Sequence, residues 1–256
     1  MKSLFYTNKG GVRKANEDAL FVGGCAVCGA DMTAPSHIEI DGGREIFCVI
    51  DGMGGYLGGA EAARITAQAF QAGRQPDADE SDNEIWLEQV LRKASEEMRE
   101  IARCSPELAN MGATLAGALI DRSKKSIFAF NLGDCRVYRF HGGFLDKLTH
   151  DHSHVQELFD SGEISEEEMR IHPRKNIVTA SIGAAVFYEP EFFCREFPLK
   201  TGDKFFACSD GVWEALSIEE IEKALSGDDA FAACSELQRK LLSSDCRDNV
   251  SFVFVP

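Results

Sequence analysis

No apolar run in this sequence approaches the length needed to cross a bilayer. The opening residues, Met1 to Phe5, lack the apolar core of a secretion signal, so a cytoplasmic protein is expected. Positive charge is scarce: 27 Lys and Arg stand against 42 Asp and Glu, a net charge of −15. That balance argues against a surface for nucleic acid or for an anionic membrane. Regular cysteine spacing is missing too. The nine cysteines make an odd count, and Cys48, Cys194 and Cys208 lie in apolar, strand-like runs where a reduced thiol packs as a small hydrophobe. No disulfides are expected. Cys25-Ala26-Val27-Cys28 has the spacing of a metal site but no second pair; it reads as two incidental thiols in a loop, with zinc as the minor alternative. Repeats, low-complexity tracts and a linker are also absent. A chain of 256 residues suits one large domain or two small ones, and without a linker a single domain over 1–256 is expected. With 44% hydrophobic and 27% charged residues it is globular rather than disordered.

What the chain does have is one recurring pattern. An apolar run at 45–50 leads into Asp51 and then Gly52-Met53-Gly54-Gly55. A short, β-branched run bounded by turn residues reads as a buried strand, ending here in an aspartate and a glycine turn. Taken alone, that is an ordinary Asp-Gly turn. The pattern recurs where 204–209 runs into Asp210-Gly211 and where 127–132 runs into Gly133-Asp134. Asp248 precedes the final strand at 249–255, and Asn16-Glu17-Asp18 precedes a strand at 19–22. Carboxylates at strand ends can converge on one edge of a sheet. Their repulsion is on the order of several kcal/mol at low effective dielectric. Hard divalent cations relieve it, and an all-oxygen site suits Mg²⁺ or Mn²⁺.

Further strands are expected at 4–7, 114–120, 136–140 and 144–148, with His141-Gly142-Gly143 closing a hairpin, and again from Phe192 through Ser209. Residues 23–43 read as a polar, irregular excursion between strands. A helix is expected at 57–72, and a polar connector at 75–80. A second helix follows a Ser81/Glu84 capping box and repeats Leu87, Val90, Leu91, Ala94, Met98 and Ile101 on one face. Residues 149–182 are polar, with two short helical segments, a Ser165/Glu168 capping box and a stop at Pro173; they read as a flap over the strand ends. Ser217 with Glu220 caps a later helix, and another covers 229–243.

Seven short motifs resemble those of the metal-dependent protein serine/threonine phosphatases of the protein phosphatase 2C type, in the compact bacterial form. They are Arg13-Lys14-Ala15-Asn16-Glu17-Asp18, Asp51-Gly52-Met53-Gly54-Gly55, Met111-Gly112-Ala113-Thr114, Gly133-Asp134-Cys135-Arg136, Leu148-Thr149-His150-Asp151-His152-Ser153, Ser209-Asp210-Gly211-Val212 and Arg247-Asp248-Asn249-Val250. They follow the family's order from Arg13 to the C-terminus. The resemblance implies an α+β fold, a four-layer α-β-β-α sandwich of two antiparallel sheets flanked by helices. It implies two divalent cations, Mn²⁺ or Mg²⁺, with Asp51 bridging them and Gly52 offering its carbonyl to one. Asp210 and Asp248 would complete the other site, and Glu17 and Asp18 would hold bound waters or ligate weakly. Asp134, with Asp210, matches a third and weaker site. Arg13 would grip the substrate phosphate, and Asn249 would steady the site beside Asp248.

The implied activity is hydrolysis of phosphoserine and phosphothreonine in phosphoproteins, by in-line attack of a hydroxide bridging two metals. A planar, permanently charged guanidinium can hold two phosphate oxygens at once, which is the physical case for Arg13 over a plain surface arginine. Nothing matches the cysteine nucleophile of tyrosine phosphatases, since Cys246-Arg247-Asp248 lacks the glycine-rich loop between cysteine and arginine. Many eukaryotic relatives carry a histidine where this chain has Met53, and a thioether cannot protonate a leaving group. His150, His152, His154 and His172 qualify only by residue type, and metal binding by His150-Asp151-His152 ranks below solvated loop histidines. Phosphorylated proteins are the expected partners, with a serine/threonine kinase possible by analogy; nucleic acid and membrane are not. The alternative readings are a catalytically silent phosphoprotein-binding module on the same scaffold and, with less support, a two-metal nuclease or phosphodiesterase.

Overall fold

The computed structural model describes residues 2–40, 42–55, 57–73, 83–183 and 192–256. The expected connector at 75–80 and Ser81 of the first capping box lie outside the described residues. In chain order the elements are β1 (Lys2–Asn8), β2 (Ala19–Val22), β3 (Cys25–Cys28), β4 (Ser36–Glu39), β5 (Arg44–Met53), α1 (Gly58–Ala72) and α2 (Asn83–Cys104). Then come β6 (Gly112–Asp121), β7 (Ser126–Leu132), β8 (Arg136–His141), β9 (Phe144–Lys147), α3 (His154–Asp160), α4 (Glu166–Ile171), β10 (Ile182–Gly183) and β11 (Phe193–Pro198). The chain closes with β12 (Lys204–Cys208), α5 (Asp210–Ala215), α6 (Ile218–Leu225), α7 (Ala230–Ser243) and β13 (Val250–Val255).

Among the described residues these strands form two antiparallel sheets. One has six strands in the order β4-β1-β13-β12-β8-β9. The other has seven, in the order β11-β7-β6-β5-β2-β3 with β10 beside β6. The two-residue period of a strand sends alternate side chains to opposite faces. In β5, Phe47 and Val49 face the other sheet, while Ile46, Cys48 and Ile50 face α1 and α2. In β12, Phe205 and Ala207 point inward between the sheets, while Phe206 and Cys208 meet α5 to α7. Both faces are covered, which is why these runs are apolar without alternation. The three resulting cores stack as four layers, helix-sheet-sheet-helix. No helix among the described residues is long and apolar enough to cross a membrane.

Three local expectations need correction. Residues 23–43 are an excursion between β2 and β5, but the described part is not irregular throughout, since it carries β3 and β4. Gly23 and Gly24, at φ of 58° and 83°, turn β2 back into β3, and β4 pairs with β1 on the other sheet. Both strands are only four residues long; β4, Ser36-His37-Ile38-Glu39, is mostly polar, and β3, Cys25-Ala26-Val27-Cys28, is too short an apolar run to stand out. Cys25 and Cys28 are therefore on a strand, not in a loop. Their odd spacing puts them on opposite faces, Cys25 exposed and Cys28 against the α1 side, so they do not share an ion. Finally, β5 does not stop at Asp51. It continues through Gly52 and Met53, with Asp51 opposite Thr114.

The Ser165/Glu168 and Ser217/Glu220 capping boxes form as read, on α4 and α6. The buried stripe of α2 runs from Trp86 and Leu87 to Met98, with Ile101 only partly buried. Residues 149–182 do hold two short helices, α3 and α4. They are tied to the strand ends through a bridge from Ser153 to Val178 and the Thr179 N–H donating to the His152 carbonyl at 2.9 Å.

Candidate active site

One pocket of about 370 Å³ collects chain segments that are far apart in sequence. Its lining includes Arg13, Glu17, Asp51, Gly52, Asp134, Asp210, Asp248 and Asn249. Eight of the nine residues singled out from sequence thus meet at one place. Asp18 is the ninth; it is buried beneath the wall and 1% exposed. Met53, Thr114 and the flap residues Asn176 and Val178 complete the rim.

Close backbone approach explains the glycines here. A Cβ on Gly52 would stand 2.1 Å from the Gly59 carbonyl oxygen, and one on Gly59 would stand 2.6 Å from the Glu17 carboxylate. The loop bearing Arg13 and Glu17 is clasped to the start of β13 by Asn249. Its Oδ1 accepts the Glu17 N–H at 2.9 Å, and its Nδ2 donates to the carbonyls of Lys9 and Ala15 at 3.1 and 3.0 Å. Asp18 is held from below: the Ser209 hydroxyl donates to it at 3.1 Å, and the Ser251 N–H donates to Ser209 at 3.1 Å. Thr7 and Ser251 share a 2.8 Å hydrogen bond, and Asn16 donates to Thr7 at 2.7 Å. This buried polar chain crosses between the sheets, and its members would cost free energy if left unpaired.

Asp134 is set by a different group of contacts. Gly133, at φ of 101°, packs against Thr114. Its N–H donates to His152 Nδ1 at 3.0 Å, and its carbonyl accepts from Asn131 at 3.0 Å. The Trp213 indole N–H donates to the Asp134 carbonyl at 3.1 Å. His150 pairs with Asp160 and Asp151 with Arg136, so His150, Asp151 and His152 are engaged separately. None of His150, His152, His154 or His172 lines the pocket, whereas Met53 does.

The electrostatics record an excess of buried negative charge. Burial pushes the Asp51 carboxyl well above its ordinary range, and the charges of Asp18, Asp210, Asp134 and Asp248 push it further. Asp210 is raised likewise, by burial and then by Asp134 and Asp248. Asp18 rises to about 7, chiefly by burial, against the lowering effect of its hydrogen bonds. Burial also raises Asp134, to about 6, and Glu17. One carboxylate oxygen each of Asp18 and Asp210 is buried without a hydrogen-bond partner.

Arg13 donates to Asp248 at 2.6 Å. Two residues read from sequence as phosphate grip and metal ligand thus pair with each other, as expected where carboxylates outnumber cations. Oxygen-only donors, orphaned carboxylate oxygens and upward-shifted carboxyls fit hard divalent cations. Among the described residues no three His, Cys, Asp or Glu side chains close around one point as a ready-made cage. Mg²⁺ in particular keeps several waters and takes one or two carboxylates at a time, so this donor set fits that mode of binding.

Sequence reasoning gave no role to Ser209, although it stands in one of the seven motifs, nor to Asn131 and Trp213. Ser209 carried a usable signal, since it stands immediately before Asp210-Gly211. Asn131 and Trp213 act on neighbours distant in sequence and left none.

A profile of the family described as Protein phosphatase 2C matches residues 30–241. A serine/threonine phosphatase, stp, of Listeria monocytogenes is 32% identical over 228 residues, covering 88% of this chain and 83% of its own. The serine/threonine phosphatase of S. agalactiae superposes with a TM-score of 0.83 at 25% identity, over 100% of this chain and 99% of that one. The catalytic domain of the serine threonine protein phosphatase PstP, solved in complex with two manganese ions, superposes with a TM-score of 0.77 at 25% identity, over 99% and 98% of the two chains.

Proposed function

Because the chain belongs to the protein phosphatase 2C family, we propose that it is a divalent-cation-dependent hydrolase of phosphoserine and phosphothreonine in proteins. The observation that carries this reading is the single pocket in which Glu17, Asp51, Asp134, Asp210 and Asp248 gather beside one arginine. Asp51, the Gly52 carbonyl, Asp210 and Asp248 would hold two Mn²⁺ or Mg²⁺ ions, with Glu17 and Asp18 supporting them and Asp134 serving a third, weaker position. When bound, such ions acidify a water into an in-line nucleophile and neutralise charge on the phosphoryl oxygens. Arg13 exchanges its ion pair with Asp248 for two phosphate oxygens; it is half exposed and can swing between them. Asn249 keeps the loop carrying Arg13 and Glu17 in place. Met53 lines the pocket but has no proton to donate, so the leaving alkoxide takes its proton from another group or a water. The reading takes residues 1–256 as one catalytic domain, acting in the cytoplasm on phosphoproteins and on the serine/threonine kinases that make them.

The test is phosphate release from an aryl phosphate and from a phosphothreonine peptide, with Mn²⁺ and with a chelator. Turnover should require the ion and fall on the order of 10²–10³-fold or more in Asp210→Asn, judged against loss of a single transition-state stabilising group. Wild-type turnover in that variant, or in chelator, would contradict the reading. Tight phosphopeptide binding without release would favour the silent binding module.

A further inference from the structure

A second cleft, of about 550 Å³, opens on the far side of Asp134, between the flap and α5. Asp134 lines both spaces, so the cleft continues the candidate active site. Its apolar walls come from Leu145 on β9, Val155 and Phe159 on α3, Met169 on α4, and Trp213 and Ile218 beyond. Apart from Asp134, the shared wall, its charged groups are matched internally. Arg136 and Lys147 pair with Asp151 at 2.6 and 3.2 Å, Lys175 pairs with Glu214 at 2.8 Å, and His150 pairs with Asp160 at 2.9 Å. An anion would have to break one of these pairs to be held by charge, and a cation would be drawn to the Asp134 end rather than held along the cleft. The Arg136 guanidinium carbon also stands over the Trp213 ring, 3.7 Å from its centroid, which stiffens one wall. What the cleft offers a ligand is apolar contact.

We propose that this cleft is a recognition subsite for an apolar side chain of the phosphoprotein substrate. The proposal rests on the phosphatase reading and adds a preference to it. Asp134 is a wall of both spaces and an extended chain advances about 3.3 Å per residue, so the recognised side chain lies within a few residues of the phosphorylated one. Trp213 joins the two spaces, because its indole N–H holds the Asp134 carbonyl.

The experiment compares phosphothreonine peptides carrying Leu, Phe or Ala at each position up to five residues from the phosphate, with p-nitrophenyl phosphate as a substrate that has no flanking residues. Wild type should prefer Leu or Phe at one or two of those positions by on the order of tenfold in kcat/KM, the discrimination a hydrophobic pocket gives one apolar group. In Phe159→Ala and in Leu145→Ala, neither of which lines the catalytic pocket, that preference should fall below threefold through KM, with p-nitrophenyl phosphate hydrolysis unchanged. No positional preference, or a preference that both variants retain, overturns the proposal. So does a flat peptide profile combined with p-nitrophenyl phosphate rates that respond to added indole, which would assign the cleft to a free small molecule. If no substrate releases phosphate, it is the phosphatase reading that fails. Fluorescence polarisation with the labelled Leu and Ala peptides then decides the subsite on its own, by tighter binding of the Leu peptide or by equal binding.

Discussion

Replacing Asp18 by asparagine should make the metal-free protein more stable. Asp18 is 1% exposed, and its carboxyl is raised from 3.8 to about 7, mainly by burial. A group raised on folding contributes stability that is complete below its unfolded value. That contribution is lost as pH climbs through the folded value. In chelator, wild-type unfolding free energy should therefore fall between about pH 4 and pH 7 and stay low at pH 8. At about 1.4 kcal/mol for each pH unit between 3.8 and about 7, the ceiling is roughly 4 kcal/mol. Asparagine keeps an oxygen that can accept from Ser209, but the hydrogen bond becomes neutral and loses about 1 kcal/mol. The net expectation is a gain of about 1–3 kcal/mol at pH 8. For a chain of this size that is a rise of roughly 2–12 °C in Tm. Calorimetry in EDTA across pH 4 to 8 reads it directly. Mn²⁺ should then stabilise wild type, by about 2.7 kcal/mol at a hundred times its Kd, and stabilise Asp18→Asn less. A lower Tm for the variant in EDTA at pH 8, or an undiminished response to Mn²⁺, would refute the idea that buried carboxylate charge is held at a cost for cation binding.

Two further predictions concern residues away from the pocket. Glu45 is buried under a hydrogen bond from Ser3, and burial raises its carboxyl to about 7 against the pull of Arg122. Its contribution is full below about pH 4.5 and lost through about pH 7, so Glu45→Gln should flatten the stability profile and gain up to roughly 3 kcal/mol at pH 8, as read by urea denaturation. Arg136 donates twice to Asp151, at 2.9 and 2.6 Å, and both are nearly buried. Arg136→Ala leaves that carboxylate to Lys147 alone, at 3.2 Å, and should cost up to about 3 kcal/mol, less than a wholly unpaired buried charge, whereas Arg136→Lys should recover part of it; equal stabilities would show that Lys147 alone satisfies Asp151.

The strand-end carboxylates were legible because strands bounded by glycine and aspartate write their ends into the sequence. The α2 stripe and the two complete capping boxes were legible because helical contacts are local, at spacings of three and four. Convergence of Asp51, Asp134, Asp210 and Asp248 was suggested by repetition of one pattern, not by any one of them. β3 and β4 were hidden because each is a four-residue edge strand, β3 too short to read as a run and β4 mostly polar; a partner's free backbone groups recruit them. The Arg13–Asp248 pair, the Thr7–Ser251 hydrogen bond and the Trp213 contact with Asp134 join residues 235, 244 and 79 apart. No local pattern marks contacts at such separations. They follow from the sheet order, which had to be seen.

The central claim is that these carboxylates form one cation-binding centre. Anomalous diffraction from crystals soaked in Mn²⁺ tests it most directly. The account predicts two peaks in the pocket, with Asp51 ligating both and with Asp210 and Asp248 on one of them. A pocket without peaks at saturating Mn²⁺, or peaks that leave Asp51 unliganded, would contradict it.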